Sequence, residues 1–177
     1  MNLLTNNEKI HFKGRFLGLK ETGGWEYAYR TNGTGVVVLD PVTDTGELVL
    51  VEQYRTPVKG RVMELPAGLV GDTDAGDEDF ETAARRELIE ETGYRAKVLE
   101  ELITSPSTPG MANEMITIYF ASGLERVGQG GGDNNEDITV HLVPLENASA
   151  WLDSQRARGI MIDHKIYAGL FWAATRC

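Results

Sequence analysis

Residues 78–92, EDFETAARRELIEET, constrain the fold more than any other stretch of the 177-residue chain. The run lacks proline and glycine until Gly93, which is placed to close a helix in the left-handed conformation. At roughly 100° per residue, Glu91 falls ~40° from Glu87 and Glu90 ~60° to its other side, so three carboxylates share one arc. Phe80 and Ala84 fall inside that arc, and Leu88 continues its apolar side. A merely solvated acidic face would not carry these residues. The face is therefore expected to pack against the body of the protein, with its glutamates lining a cleft.

Like charges aimed into a cleft repel unless a cation neutralises them. Oxygen-only donors suit hard ions such as Mg²⁺ or Mn²⁺. Overall charge agrees with that reading. Seventeen Lys and Arg oppose 27 Asp and Glu, a net of −10. This argues against a binder of nucleic-acid backbone, which needs a basic face. Nine of the acids, against two arginines, fall between Asp72 and Glu91, so the negative charge is gathered where a cation would sit. The single cysteine, Cys177, leaves no disulfide framework or thiolate metal site within one chain. With neither a basic, apolar leader nor a long apolar run, the chain is expected to be soluble and cytoplasmic, with no membrane partner.

Around the helix the sequence reads mostly as strands. Residues 10–19 and 25–31 are expected to form a hairpin around Gly23-Gly24, and 35–40 and 47–54 a second pair around 41–46. A short strand at 61–65 ends at Pro66-Ala67-Gly68. Further strands are expected at 95–104, 114–121 and 138–143, with helices at 146–158 and 163–175. Strands on both sides of a central helix, with helices last, predict an α/β (α+β) fold: an α/β/α sandwich around a mixed sheet.

Arg86-Glu87-Leu88-Ile89-Glu90-Glu91-Thr92-Gly93-Tyr94 resembles the second half of the Nudix box, with every fixed position filled, and Glu78 also fits. The box's opening glycine is matched by Gly68, in Glu64-Leu65-Pro66-Ala67-Gly68, which implies a four-residue insertion within 69–77. That run is similar to the one preceding the box in ADP-ribose and nucleotide-sugar pyrophosphatases. The resemblance implies a Nudix domain at 35–177, with 1–34 as an amino-terminal strand extension used for dimerisation and exchanged between chains. It makes Glu87 and Glu91 metal ligands, with Glu90 sharing an ion and the Ala67 carbonyl completing a shell. Arg86 would orient a glutamate, and Glu78 would cap or orient the helix start.

The same resemblance places a catalytic base on the late glycine-rich loop, 128–137, read as mobile. Glu136 fits best, with Asp133 and Asp137 as competitors. Arg55, in Gln53-Tyr54-Arg55-Thr56-Pro57, would hold a phosphate. Pro109, sixteen residues after Gly93, matches a mark of ADP-ribose pyrophosphatases. Trp25 and Tyr27 resemble an amino-terminal strand that stacks on the base in the partner's site, although either could equally be a core aromatic. Glu64 and Glu114 fit positions near substrate. His11, His141 and His164 are dispersed and read as structural. The expected activity is Mg²⁺-dependent hydrolysis of a nucleoside diphosphate sugar, ADP-ribose first, by a homodimer. GDP-mannose, broad specificity, or a non-catalytic sugar-nucleotide sensor are the alternatives, and the complete set of glutamates favours catalysis.

Overall fold

The computed structural model describes residues 7–71, 78–132 and 137–176. Eleven strands and three helices follow in the order β1 (Lys9–Lys13), β2 (Leu17–Thr22), β3 (Trp25–Arg30), β4 (Gly35–Pro41), β5 (Glu47–Arg55), β6 (Gly60–Glu64), β7 (Ala67–Val70), α1 (Phe80–Thr92), β8 (Tyr94–Pro106), β9 (Met115–Arg126), β10 (Thr139–Pro144), α2 (Ala148–Ala157), β11 (Met161–Ile162) and α3 (Lys165–Ala173). They form three sheets, in the orders β1-β2-β3, β10-β5-β6-β11 and β7-β4-β9-β8.

The apolar run Val36-Val37-Val38-Leu39 explains why β4 is central. It pairs in parallel with β9 and antiparallel with β7, and its two faces serve two cores. Val37 and Leu39 join Val70, Ala83, Ala84 and Leu88 beneath α1. Val38 joins Leu50, Met63, Ile118, Leu152 and Ile166 on the side of α2 and α3. Helices thus cover both faces of a mixed α+β core, as the sequence predicts.

Several local expectations need correction. The first strand is two, β1 and β2, because the chain turns at Gly14, whose N–H donates to the Leu17 carbonyl at 2.8 Å. Strands β4 and β5 do not form a hairpin; beyond a single bridge at Val42 and Leu48, they enter different sheets. Strand β5, with Leu48 to Val51 buried in succession on both faces, pairs with β6 and β10 instead. The segment after Pro66 is not just a strand end but β7, antiparallel to β4. Two-residue β11 lies parallel to β6, a pairing too short to read from periodicity. Helices α2 and α3 are shorter than expected at both ends. Among the described residues, no helix is long and apolar enough to cross a membrane.

Candidate active site

Asp79, not Glu78, starts α1: its carboxylate accepts from the Thr82 N–H at 2.8 Å, and Gly93 ends the helix with φ 75°. Freed from capping, Glu78 holds Arg86. Its two oxygens accept from Nε and Nη2 at 2.9 and 3.0 Å, and it also accepts from the Gly71 N–H at 3.2 Å. These bonds, Arg86 first and against the cost of burial, hold the Glu78 carboxyl below the usual carboxylate range.

The guanidinium reaches further. Its Nη1 donates to Glu87 at 2.7 Å and to Glu90 at 3.0 Å, and Nη2 donates to the Leu69 carbonyl at 3.0 Å. One arginine therefore ties the helix start, two box glutamates and β7 into a single unit. Planar, multidentate donation of this kind is beyond lysine.

The three box carboxylates are not equivalent. Glu91 is 3% exposed, and its Oε2 accepts from the Ala67 N–H at 2.9 Å. Glu87 is partly buried and faces Gly68 so closely that a Cβ there would overlap its carboxylate. Glu90 is exposed at the rim. Ala67 thus lies beside the box glutamates, and the group seen engaged is its amide, on Glu91, rather than the carbonyl expected to hold a metal. Ala67, Gly68, Leu69 and Glu87 line one cleft of 310 Å³, together with Val36, Arg55 and Arg30. The Glu87 carboxylate at a main-chain approach held open by glycine, with Glu91 and Glu90 on the same helix, offers the oxygen donors that fit a hard divalent cation.

Glu64 anchors Arg55, accepting from its Nε at 2.7 Å and leaving the arginine at the cleft wall. Glu114 lies next to the cleft, bonded to Arg30 Nε. Arg30 was not singled out from the sequence. The two-residue period of β3 places Arg30 opposite the face of Trp25, Tyr27 and Tyr29, but no local signal says what it meets there.

The structure does not bring Trp25, Tyr27 or Pro109 into that cleft within one chain. Trp25 is 64% exposed, and its Nε1 donates to the Gly110 carbonyl at 3.4 Å, beside exposed Pro109. Tyr27 donates to Glu8 at 3.3 Å on the amino-terminal sheet. Glu136 and Asp133 lie outside the described residues. Asp137 is described, and pairs with Arg61 at 3.1 Å. Behind that pair, Glu52 accepts from Arg61 and lies 3.0 Å from His141 Nε2.

A mixed α+β fold in which a glutamate-rich helix, tied together by one arginine, lies beside this cleft points to the class: a domain of the Nudix type. Residues 30–164 match the NUDIX domain family model, and the chain belongs to that family. It is 36% identical over 123 residues to the methanol dehydrogenase activator of Bacillus methanolicus, covering 69% of this chain and 64% of that protein. It is 35% identical over 122 residues to the ADP-ribose pyrophosphatase of Bacillus subtilis, covering 68% and 64%. A GDP-mannose pyrophosphatase of Pectobacterium atrosepticum is 30% identical over 151 residues, covering 78% and 76%. The matched part spans just under two thirds of the first two relatives. Among solved structures, an ADP compounds hydrolase superposes with a TM-score of 0.65 at 23% identity, covering 84% of this chain and 81% of that one, a likeness of fold.

Proposed function

We propose that this protein hydrolyses the pyrophosphate bond of a nucleoside diphosphate sugar, ADP-ribose first, in the cytoplasm and with Mg²⁺, for which Mn²⁺ can substitute. The observation that carries this reading is the packing of Glu87 against Gly68 at the cleft and of Glu91 against the neighbouring Ala67 amide, with Arg86 fixing Glu78, Glu87 and Glu90. Glu87, Glu91, the rim carboxylate of Glu90 and the Ala67 main chain would hold the cation. A divalent ion there supplies charge neutralisation on the phosphates and acidification of a water.

The chain's own groups supply the rest. Arg55, held by Glu64, and Arg30, held by Glu114, present guanidinium groups to the cleft, suited to phosphate oxygens. Glu136 is the proposed base. Water adds to one phosphorus, the bond from that phosphorus to the bridging oxygen breaks, and the base takes the water's proton. The products are a nucleoside monophosphate and a sugar phosphate; ADP-ribose would give AMP and ribose 5-phosphate.

The same reading makes the protein a homodimer through its amino-terminal extension, whose sheet is β1-β2-β3. Phe12 and Leu17 are exposed on one face of this sheet and Trp25 on the other, apolar groups that a partner chain would cover. Exchange of this sheet would bring Trp25 and Tyr27 to the partner's cleft, where they would stack on the base. The test is a panel of nucleotide sugars, dinucleoside polyphosphates and nucleoside triphosphates with Mg²⁺, with products identified. Turnover of ADP-ribose supports the proposal, and GDP-mannose as the sole good substrate would move it to the alternative. Tight binding without turnover of any compound would make the protein a sensor.

A further inference from the structure

The glycine-rich segment that leads toward Glu136 is bonded to the end of α1. An α-helix leaves its last four carbonyls without helical partners. In α1 the first of these, Ile89, accepts from the Gly93 N–H at 2.9 Å. The next two belong to Glu90 and Glu91, the residues whose side chains sit in the candidate site. Glu91 accepts from the Gly131 N–H at 2.8 Å, and Glu90 from the Gly132 N–H at 3.0 Å. The Gly93 carbonyl in turn accepts from the amides of Val127 and Gly128, at 2.8 and 3.1 Å.

Only glycine fits this contact. Gly130, Gly131 and Gly132 have φ of 70°, 108° and 79°, a region that side chains disfavour. A Cβ on Gly130 would overlap the main chain of Thr92 and crowd the Glu91 carbonyl, at 2.8 Å. Residues 128–132 are therefore not a slack tether, as the composition suggests, but main chain docked onto main chain.

We propose that residues 128–132 act as a backbone clasp whose positioning residues, Gly130, Gly131 and Gly132, set the geometry of Glu90 and Glu91 for the divalent cation. With its last carbonyls held, the terminal turn of α1 cannot fray, and both carboxylates keep a fixed direction. The clasp also ties those carboxylates to the segment that continues toward Glu136. The inference rests on the metal-site reading above.

Its test is Mn²⁺ binding to the full-length, metal-stripped protein, followed by electron paramagnetic resonance, for wild type, Glu91→Gln, Gly130→Ala and Gly46→Ala. Gly46 has a similar φ of 76° in the turn before β5, with nothing within 4 Å of its would-be Cβ, so it matches the backbone strain alone. Gly130→Ala is expected to weaken Mn²⁺ binding about tenfold, the usual cost of losing support behind a metal ligand, and to lower kcat more than it raises KM. Gly46→Ala should bind Mn²⁺ as wild type does. If wild type binds no Mn²⁺, or Glu91→Gln binds it equally well, the metal site is wrong and the clasp falls with it. If Glu91→Gln loses Mn²⁺ while Gly130→Ala keeps it, the site stands and the clasp is overturned. Should Gly130→Ala fail to fold, amide exchange in the wild type decides. Slow exchange at Gly131 and Gly132 supports the clasp, and exchange at unfolded-chain rates overturns it.

Discussion

Asp40 offers a quantitative test of the packing between β4 and α3. It is fully buried, and among the described residues neither carboxylate oxygen has a hydrogen-bond partner. It faces Gly169 of α3, where a Cβ would sit 2.6 Å from Oδ1. Burial raises its pKa from 3.8 to about 7, with the charge of Arg176 a smaller opposing influence. The folded chain therefore binds a proton that the unfolded chain has released, and stability falls as pH rises between those values. A shift of about 3 units corresponds to roughly 4 kcal/mol, absent below the lower pKa and complete above the upper. Between pH 5 and pH 8 the loss is about 2.5 kcal/mol. Asp40→Asn keeps the shape and removes the titration. Urea unfolding of both proteins at pH 5, 6, 7 and 8 should give curves that diverge by that amount, with the variant gaining relative stability as pH rises. In thermal midpoint the divergence is about 5–10 °C for a chain of this size. Parallel pH profiles would refute the claim that Asp40 is buried and unpartnered.

Further outcomes concern the cleft. Gly68→Ala puts a methyl group onto the Glu87 carboxylate, and metal-dependent turnover should fall at least about a hundredfold with secondary structure intact. Full activity by initial-rate assay would remove Glu87 from the metal site. Arg86→Lys keeps the charge but loses the fork that joins Glu78, Glu87, Glu90 and Leu69, so kcat should drop about 10–100-fold. Unchanged kinetics would show that charge alone suffices there. Chelation with EDTA should abolish turnover and added Mg²⁺ restore it; activity in excess chelator rules out a metal-dependent route. Sedimentation at micromolar concentration should give twice the chain mass, and a monomer would remove Trp25 and Tyr27 from the site.

The helix and its glutamates were legible in sequence because a period of 3.6 residues is local information. Glu87 and Glu91 do fall on the packed side, with Phe80, Ala84 and Leu88. What escaped was decided by pairing partners far along the chain. Nothing local separates a β4–β5 hairpin from two strands that part at Val42, since both carry the same apolar runs. Residues 67–70 were too short, and too rich in small residues, to announce β7. Arg30 was hidden because its importance comes from Glu114 and Arg55, residues brought beside it only by the fold.

The same distinction explains the charge. Composition gathers the acids around α1 but cannot say which of them are already satisfied. The structure separates them: Asp79 caps the helix, Glu81 pairs with Arg85 at 2.7 Å, and Glu78 is held by Arg86. That same arginine must also serve Glu87 and Glu90, while Glu91 lies buried alongside. Glu78, Glu87 and Glu90 thus share one guanidinium, with Glu91 on the same helix, and carboxylates clustered in this way repel one another without a further cation. Asp79 and Glu81 each have a partner of their own, whereas Glu78, Glu87 and Glu90 divide one arginine, and the proposed divalent ion would complete that charge balance.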